Sequence, residues 1–523
     1  MLSKLIHNFV GLFFEFNERT ITSSRVIQIL LAATFAISCY AWLIKKPTRS
    51  TPPLPPGPRP LPLVGNFLSL EPNLHHYFGK LSQIYGPIFK LHLGSKLCIV
   101  IGSPSLAKQV LKEHDVVFAN RDLPAAASVL AYGGMSIAAS PEWPKLRQVL
   151  VRETMSNTSI NASSAIRRQA VLRSMKDVSG RVGSPIKLRE LMFLTFLDVA
   201  TRMLWGASVR GEDWDPIAIQ FRELIEAMFQ LLGSGGLSDL FPLLARFDLQ
   251  GHQSKAKKLT ARFDRIFESL LRPGQTGQDR NEGKSSKDFL QTLLELQQQG
   301  DYSLSTDQIK AMFLDMAIGS TDTTSITVEW AMTELLHKPE LMRKARNELE
   351  QVVAPDSVVE EFHLARLPYL EAIVKEALRL HPPAPLLITR RPSATSNLSG
   401  YTIPKGSTIF INAWAIQTNP EVWENPQDFR PDRFLEDVKI GDFQGNNFNY
   451  LPFGSGRRVC PGIPLAEKIV PHVLANLLHL FEWSLPEETK LDLSDKLLMA
   501  LKKSEPLAVI PTPRSLSALE HCN

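Results

Sequence analysis

The segment FGSGRRVCPG, residues 453–462, constrains this chain more than any other. It sets a lone cysteine, Cys460, in a glycine-rich loop just ahead of IPLAEKIVPHVLANLLHLF, which has helical periodicity. A cysteine thiolate needs its charge held by nearby donors and dipoles, or it protonates or oxidises. Here the sulfur would sit near a helix N-terminus, whose partial positive charge favours an anion. Gly456 and Gly462 admit backbone conformations closed to other residues and let the chain approach a flat group closely. Arg458 is placed to reach a nearby anion, and Phe453 to cover the sulfur side of the loop. The other cysteines, Cys39, Cys98 and Cys522, are far apart, with no zinc-type spacing and no disulfide framework. The bulk of the chain is therefore expected in a reducing compartment.

The set Phe453, Gly456, Arg458, Cys460 and Gly462 matches the haem-binding signature of the cytochromes P450 at every position, and the chain resembles that family. The resemblance implies heme b with an axial thiolate from Cys460, which pushes electron density onto iron and favours O–O cleavage of bound O2. It also implies a mainly α fold with small β-sheets, in a single large triangular domain. Further motifs follow in the family's order. In VKEALRLHPP, Glu376 and Arg379 are three apart on one helical face, and FRPDRF supplies Arg433 within the element Pro431, Arg433, Phe434. An E-x-x-R pair alone reads as solvated surface; the resemblance makes Glu376, Arg379 and Arg433 a buried structural network behind the haem loop. Trp143 and Arg147 in EWPKLRQVL have the W-x-x-x-R spacing that the family sets against a haem propionate, although spacing alone equally fits a packed Trp and a surface Arg. Arg390, in PLLITRR, stands where the family has a second propionate-binding arginine, with Arg391 a rival. Bidentate arginine suits a carboxylate in an apolar cavity.

A long helix is predicted from near Ser305, where Ser305 and Gln308 have capping-box spacing, to the stop at Lys338–Pro339. At about 1.5 Å per residue it would be about 50 Å long. Its middle holds six poor helix formers in a row, Gly319 to Thr324, so an interrupted or widened turn is expected there. By resemblance Asp322 and Thr323 are the catalytic acid–alcohol pair, a carboxylate and a hydroxyl that would hold a relay water for proton delivery. Ser320 departs from the family pattern, where a second glycine is usual, and puts coupling efficiency in question. None of the twelve histidines has ligand-like spacing, and His381 beside its proline turn reads as packing.

At the N-terminus, residues 26–44 form an uncharged apolar run of 19 residues, followed by Lys45, Lys46 and Arg49. Such a helix is about 28 Å long, enough to span a bilayer core of about 30 Å. A cleaved signal peptide and a buried core helix are the alternatives. Residues 5–16 are also apolar but interrupted. Residues 51–66, TPPLPPGPRPLPLVGN, favour stiff extended backbone and resemble the family's proline-rich hinge. The expected organisation is an N-terminal segment with the anchor (1–50), the hinge (51–66) and the catalytic domain (67–523). Residues 87–102 read as a β-hairpin with Cys98 in the core, and residues 272–288 as a surface loop. The sequons at Asn157, Asn161 and Asn397 are chance matches if the domain faces the cytosol.

With 58 basic and 53 acidic residues the net charge is +5, too small and dispersed for nucleic acid. The resemblance implies an endoplasmic-reticulum anchor, a cytosolic domain and electrons from NADPH through cytochrome P450 reductase, with cytochrome b5 as a further partner. Arg457 would help present a basic face to an acidic donor. The expected cavity walls, residues 120–132, 229–236, 312–321, 386–389 and 498–503, are largely aliphatic and suit a terpenoid of sesquiterpene type. The motif style PFGSGRRVCPG resembles plant enzymes that oxidise terpenes and flavonoids, which makes a flavonoid hydroxylase the runner-up. A haem-thiolate isomerase or dehydratase working without reductase, and a non-catalytic haem-binding protein, are rivals of other classes; Asp322 and Thr323 speak against the first.

Overall fold

In the computed structural model, the described residues are Thr34, 52–209, 216–241, 246–271, 288–436, 441–515, 517 and 520. The alternating, β-branched run after Pro87 forms a hairpin of β1 (Ile88–Leu93) and β2 (Lys96–Ile101), antiparallel with Leu93 opposite Lys96. Short strands β3 (Asn120–Arg121), β4 (Arg390–Arg391) and β5 (Thr408–Ile411) extend it into a five-stranded sheet ordered β1-β2-β5-β4-β3. β5 runs parallel to β2, and Cys98 on β2 is a buried core residue. A second hairpin, β6 (Asp495–Leu497) and β7 (Leu501–Lys503), carries the loop 498–500 at its tip.

Helices make up most of the rest. Those that position the site are α1 (Leu74–Tyr85), α2 (Trp143–Thr154), α3 (Leu188–Trp205), α4 (Thr306–His337), α5 (Pro368–Leu380) and α6 (Ile463–Leu480). α4 is capped as its sequence predicts: the Ser305 side chain accepts from the Gln308 backbone, and the Gln308 side chain accepts from the Ser305 backbone. It lies along α3 through the centre of the core, with Phe313 packed among Trp205, Phe267 and Phe289. The expected interruption is absent, and α4 is helical without a break from end to end. The hydroxyls explain why. Thr321, Thr323, Thr324, Ser325 and Thr327 each donate to the carbonyl four residues back, at 2.6–2.9 Å. That back-bonding satisfies the side chains inside the helix instead of competing with it.

The proline-rich segment is packed onto the body. Lys90 N–H donates to Pro56 O at 2.7 Å and Thr402 N–H to Pro53 O at 2.8 Å, while a Cβ on Gly57 would meet Lys90 O at 2.0 Å. The expected anchor, residues 26–44, lies outside the described residues apart from Thr34, as does most of the expected loop 272–288. No helix of the described residues is long and apolar enough to cross a membrane.

Behind the cysteine loop, Glu376 and Arg379 on α5 form a bidentate pair at 2.7 and 2.8 Å, and Arg433 Nε approaches the same carboxylate at 3.1 Å. All three are buried. Remaining donors find carbonyls: Arg379 Nη1 reaches Gln417 O and Pro426 O, both at 2.8 Å. Gln417 then ties this network to the loop, donating to Arg379 O and accepting from Leu451 N–H at 2.7 Å. His381, next to α5, stacks flat on Trp330 and bonds Glu334, a packing role as expected. Removing one partner of a buried ion pair strands the other charge, at a cost of about 3–5 kcal/mol. Glu376→Ala is therefore expected to lower the unfolding free energy by that amount, read from a lower denaturant midpoint, and an unchanged midpoint would dismiss the network as a keystone of stability.

Candidate active site

The cysteine loop is shaped by one glycine above all. Gly456 has φ +68, and a Cβ there would lie 1.9 Å from Leu111 O, so no other residue fits. The turn Gly456–Arg458 leads to Cys460, whose N–H donates to Phe453 O at 3.0 Å, and α6 begins at Ile463. The Phe453 ring packs edge-on against Phe443. Gly462 N–H points at Cys460 Sγ, 3.4 Å away. Gly462 itself has an ordinary φ of −82, and a Cβ there would make only van der Waals contact with the sulfur at 3.7 Å. The special backbone conformation expected at Gly462 is thus not needed; its amide is what the sulfur uses. Burial raises the Cys460 thiol pKa, opposed by the Gly462 N–H and the Arg147 charge. A bound cation supplies what the fold lacks, because coordination deprotonates a thiol outright.

Beside the loop lies a cluster of buried cations. Arg121 on β3 and Arg390 on β4 stand directly opposite each other in the sheet, where like charges repel. Arg390 is buried whereas Arg391 is exposed, which separates the two candidates for an inward-facing arginine. Arg458 Nη1 donates to Ile137 O at 2.6 Å, and its guanidinium lies 3.9 Å from the centre of the Trp143 ring. Arg147, one turn along α2, donates to Val459 O at 2.6 Å. Burial and mutual repulsion lower the Arg458 pKa to about 9, and burial lowers that of Arg390 to about 10. The Nε atoms of Arg121 and Arg390 are buried without a hydrogen-bond partner. Clustered guanidiniums bonded only to carbonyls, two of them with unsatisfied Nε donors, favour an anion, and two propionates would meet that need. The residues present therefore fit a haem, with Cys460 toward the iron and this cluster toward the carboxylates. Arg121 was not singled out in the sequence, where a short strand of two residues leaves no periodic signal.

α4 forms the opposite wall. Gly319, Ser320, Asp322, Thr323 and Thr324 all line the cavity. A Cβ at Gly319 would meet nothing within 4 Å, so this turn of α4 faces open space. The Ser320 hydroxyl, the departure from the family pattern, is buried without a partner. Thr323 Oγ1 donates to Gly319 O at 2.9 Å. Asp322 is held from outside the cavity by Lys502 Nζ on β7 at 2.6 Å, and by Arg189 on α3 at 3.9 Å. Asp315, two turns before Asp322 on α4, accepts from Ile137 N–H at 2.6 Å and fixes the loop that Arg458 grips; burial raises its pKa to about 7.

Between these walls is a continuous cavity of about 1390 Å³. Each of the five segments expected from the sequence contributes, through Leu123, Leu232, Leu314, Leu387 and Met499 among others. Sequence reasoning missed Phe196, Val199, Ala200 and Met203 on α3. That helix is apolar nearly all round, so its pattern does not distinguish cavity wall from core.

Comparison with known proteins agrees with this geometry. The family described as Cytochrome P450 matches residues 55–511. A ferruginol synthase of Isodon rubescens is 37% identical over 492 residues, covering 92% of this chain and 98% of its own. A carnosic acid synthase of Salvia pomifera is 37% identical over 499 residues, covering 93% and 99%. Among solved structures, a zebra fish cytochrome P450 with progesterone superposes with a TM-score of 0.72 at 27% identity, covering 85% of this chain and all of that one. The buried thiol, the arginine cluster and the polar turn of α4 thus stand in a chain that belongs to the cytochrome P450 family of haem-thiolate monooxygenases.

Proposed function

We propose that this enzyme inserts one oxygen atom from O2 into a small hydrophobic terpenoid of sesquiterpene type, using NADPH electrons delivered by a cytochrome P450 reductase. The observation that carries the substrate reading is the aliphatic cavity wall, built from residues such as Leu314, Met316, Leu386, Leu498 and Met499. A pocket whose lining is mostly apolar favours a hydrocarbon skeleton over a multiply hydroxylated phenolic. The relatives named for ferruginol and carnosic acid support the terpenoid class; these are diterpenoids, so the sesquiterpene type rests on the cavity wall alone.

Haem, when bound, supplies the O2 chemistry through its thiolate ligand. Cys460 is assigned as that ligand, with Phe453, Gly456, Arg458 and Gly462 shaping its loop. Arg147, Arg390 and Arg458, with Arg121 added, hold the propionates, and Trp143 supports Arg458 from beneath. Asp322 and Thr323 manage protons. The Thr323 hydroxyl can rotate from Gly319 O toward the cavity and hold a water there. Lys502 and Arg189 pair with the Asp322 carboxylate on α4, so that loosening of the Lys502 contact would free it to take up a proton and pass it to a water held by Thr323. The reductase would meet the face around Lys112 and Arg457, although Arg457 is partly neutralised by Asp115 at 2.7 Å. We assign residues 26–44 as a single-pass anchor in the endoplasmic reticulum, with hinge 51–66 and a cytosolic catalytic domain 67–523; cytochrome b5 is a second candidate donor.

Microsomes holding this chain and a plant reductase, fed terpene and flavonoid pools, are expected to give an NADPH-dependent terpenoid product one oxygen heavier. A flavonoid product would replace the substrate class, and turnover without NADPH would replace the monooxygenase reading with an isomerase or dehydratase. Cys460→Ala is expected to abolish the thiolate-type carbon monoxide spectrum; a surviving band would end the ligand assignment. Thr323→Ala should raise hydrogen peroxide released per NADPH several-fold, and unchanged coupling would remove the hydroxyl from the proton path.

A further inference from the structure

We propose a divalent transition-metal site, best suited to zinc, formed by His75, His76 and Asp495 where the start of α1 meets β6. It lies outside the haem site and does not depend on the substrate reading. His75 Nε2 and His76 Nε2 each lie 3.3 Å from the same carboxylate oxygen, Asp495 Oδ2. Ligand atoms from the three residues all lie within 4.8 Å of one another.

The spacing discriminates between two uses of these groups. Charge-assisted N–H···O bonds shorten to about 2.7–2.9 Å, and two ring donors competing for one oxygen here stop well short of that. Metal–ligand bonds of about 2.0–2.1 Å in a tetrahedron place neighbouring ligand atoms about 3.3–3.4 Å apart. The donor set, two imidazoles and one carboxylate, is one that zinc takes in three-ligand sites, leaving a fourth position for water. Solvent reaches it, because the His76 side chain is 36% exposed.

The surroundings hold the ligands in place. Asp495 Oδ1 accepts from Asn73 Nδ2 at 2.8 Å, which leaves Oδ2 for the histidines. Asn73 Oδ1 also accepts from Leu497 N–H at 2.9 Å, locking β6 to the start of α1. Trp414 packs edge-on against both imidazole rings, and Asn412 Nδ2 donates to His75 O at 2.8 Å. Such outer partners fix ligand orientation. An ion here would clamp α1 to the hairpin whose tip, residues 498–500, lines the cavity and whose Lys502 holds Asp322.

The test uses the full haem-loaded chain, free of any histidine tag, stripped with a chelator and dialysed against zinc. One tight zinc per haem is expected, with affinity falling more than tenfold in His76→Ala and in Asp495→Asn. Zinc should also raise the thermal midpoint of the parent but not of His76→Ala. The carbon monoxide band reports whether each variant is folded. If Asp495→Asn loses it, His76→Ala decides alone, since that ring is partly exposed. No tight zinc in the parent, or undiminished binding in a folded His76→Ala, would overturn the site.

Discussion

A thiolate set deep in a largely apolar cavity must be stabilised by more than solvent, and the architecture is organised around that demand. Burial alone raises the pKa of the Cys460 thiol. One amide, from Gly462, and one guanidinium, from Arg147, push the other way. They reach the sulfur only because Gly456 lets the loop turn under Leu111 and because α2 and α6 converge on it. The loop is anchored in turn through Leu451 and Gln417 to the Glu376–Arg379–Arg433 network. Each layer of support is itself a buried polar or charged group that needs partners. The chain from sulfur to α5 is therefore satisfied as a whole or not at all.

The sequence carries this part of the structure plainly because its residue types have few alternatives. A glycine at positive φ, a capping box at Ser305 and Gln308, and arginines matched to one glutamate are each tied to a specific geometry. The middle of α4 was harder to read. Propensity marks six residues as poor helix formers, yet the helix runs through them, its hydroxyls bonded back to its own carbonyls and Asp322 paired with Lys502. Propensity measures what a segment does alone and does not include a lysine arriving from a strand some 180 residues later.

Other features were silent for a topological reason. Arg121 and Arg390 are far apart in sequence and become neighbours only through pairing of two strands of two residues each. Phe196 and Val199 on α3 line the cavity from a helix that is apolar over most of its circumference. His75, His76 and Asp495 meet because the start of α1 packs on a hairpin near the other end of the chain. Long-range juxtaposition has no local signature to read.

The opposed arginines have a consequence for how the cell handles this protein. A chain that lacks its cofactor keeps several guanidiniums repelling one another at its centre, with two Nε atoms unpartnered. A bound cofactor whose carboxylates met these arginines would neutralise them and so favour the folded state. Chains awaiting haem would then be the less stable pool, the one more open to proteolysis.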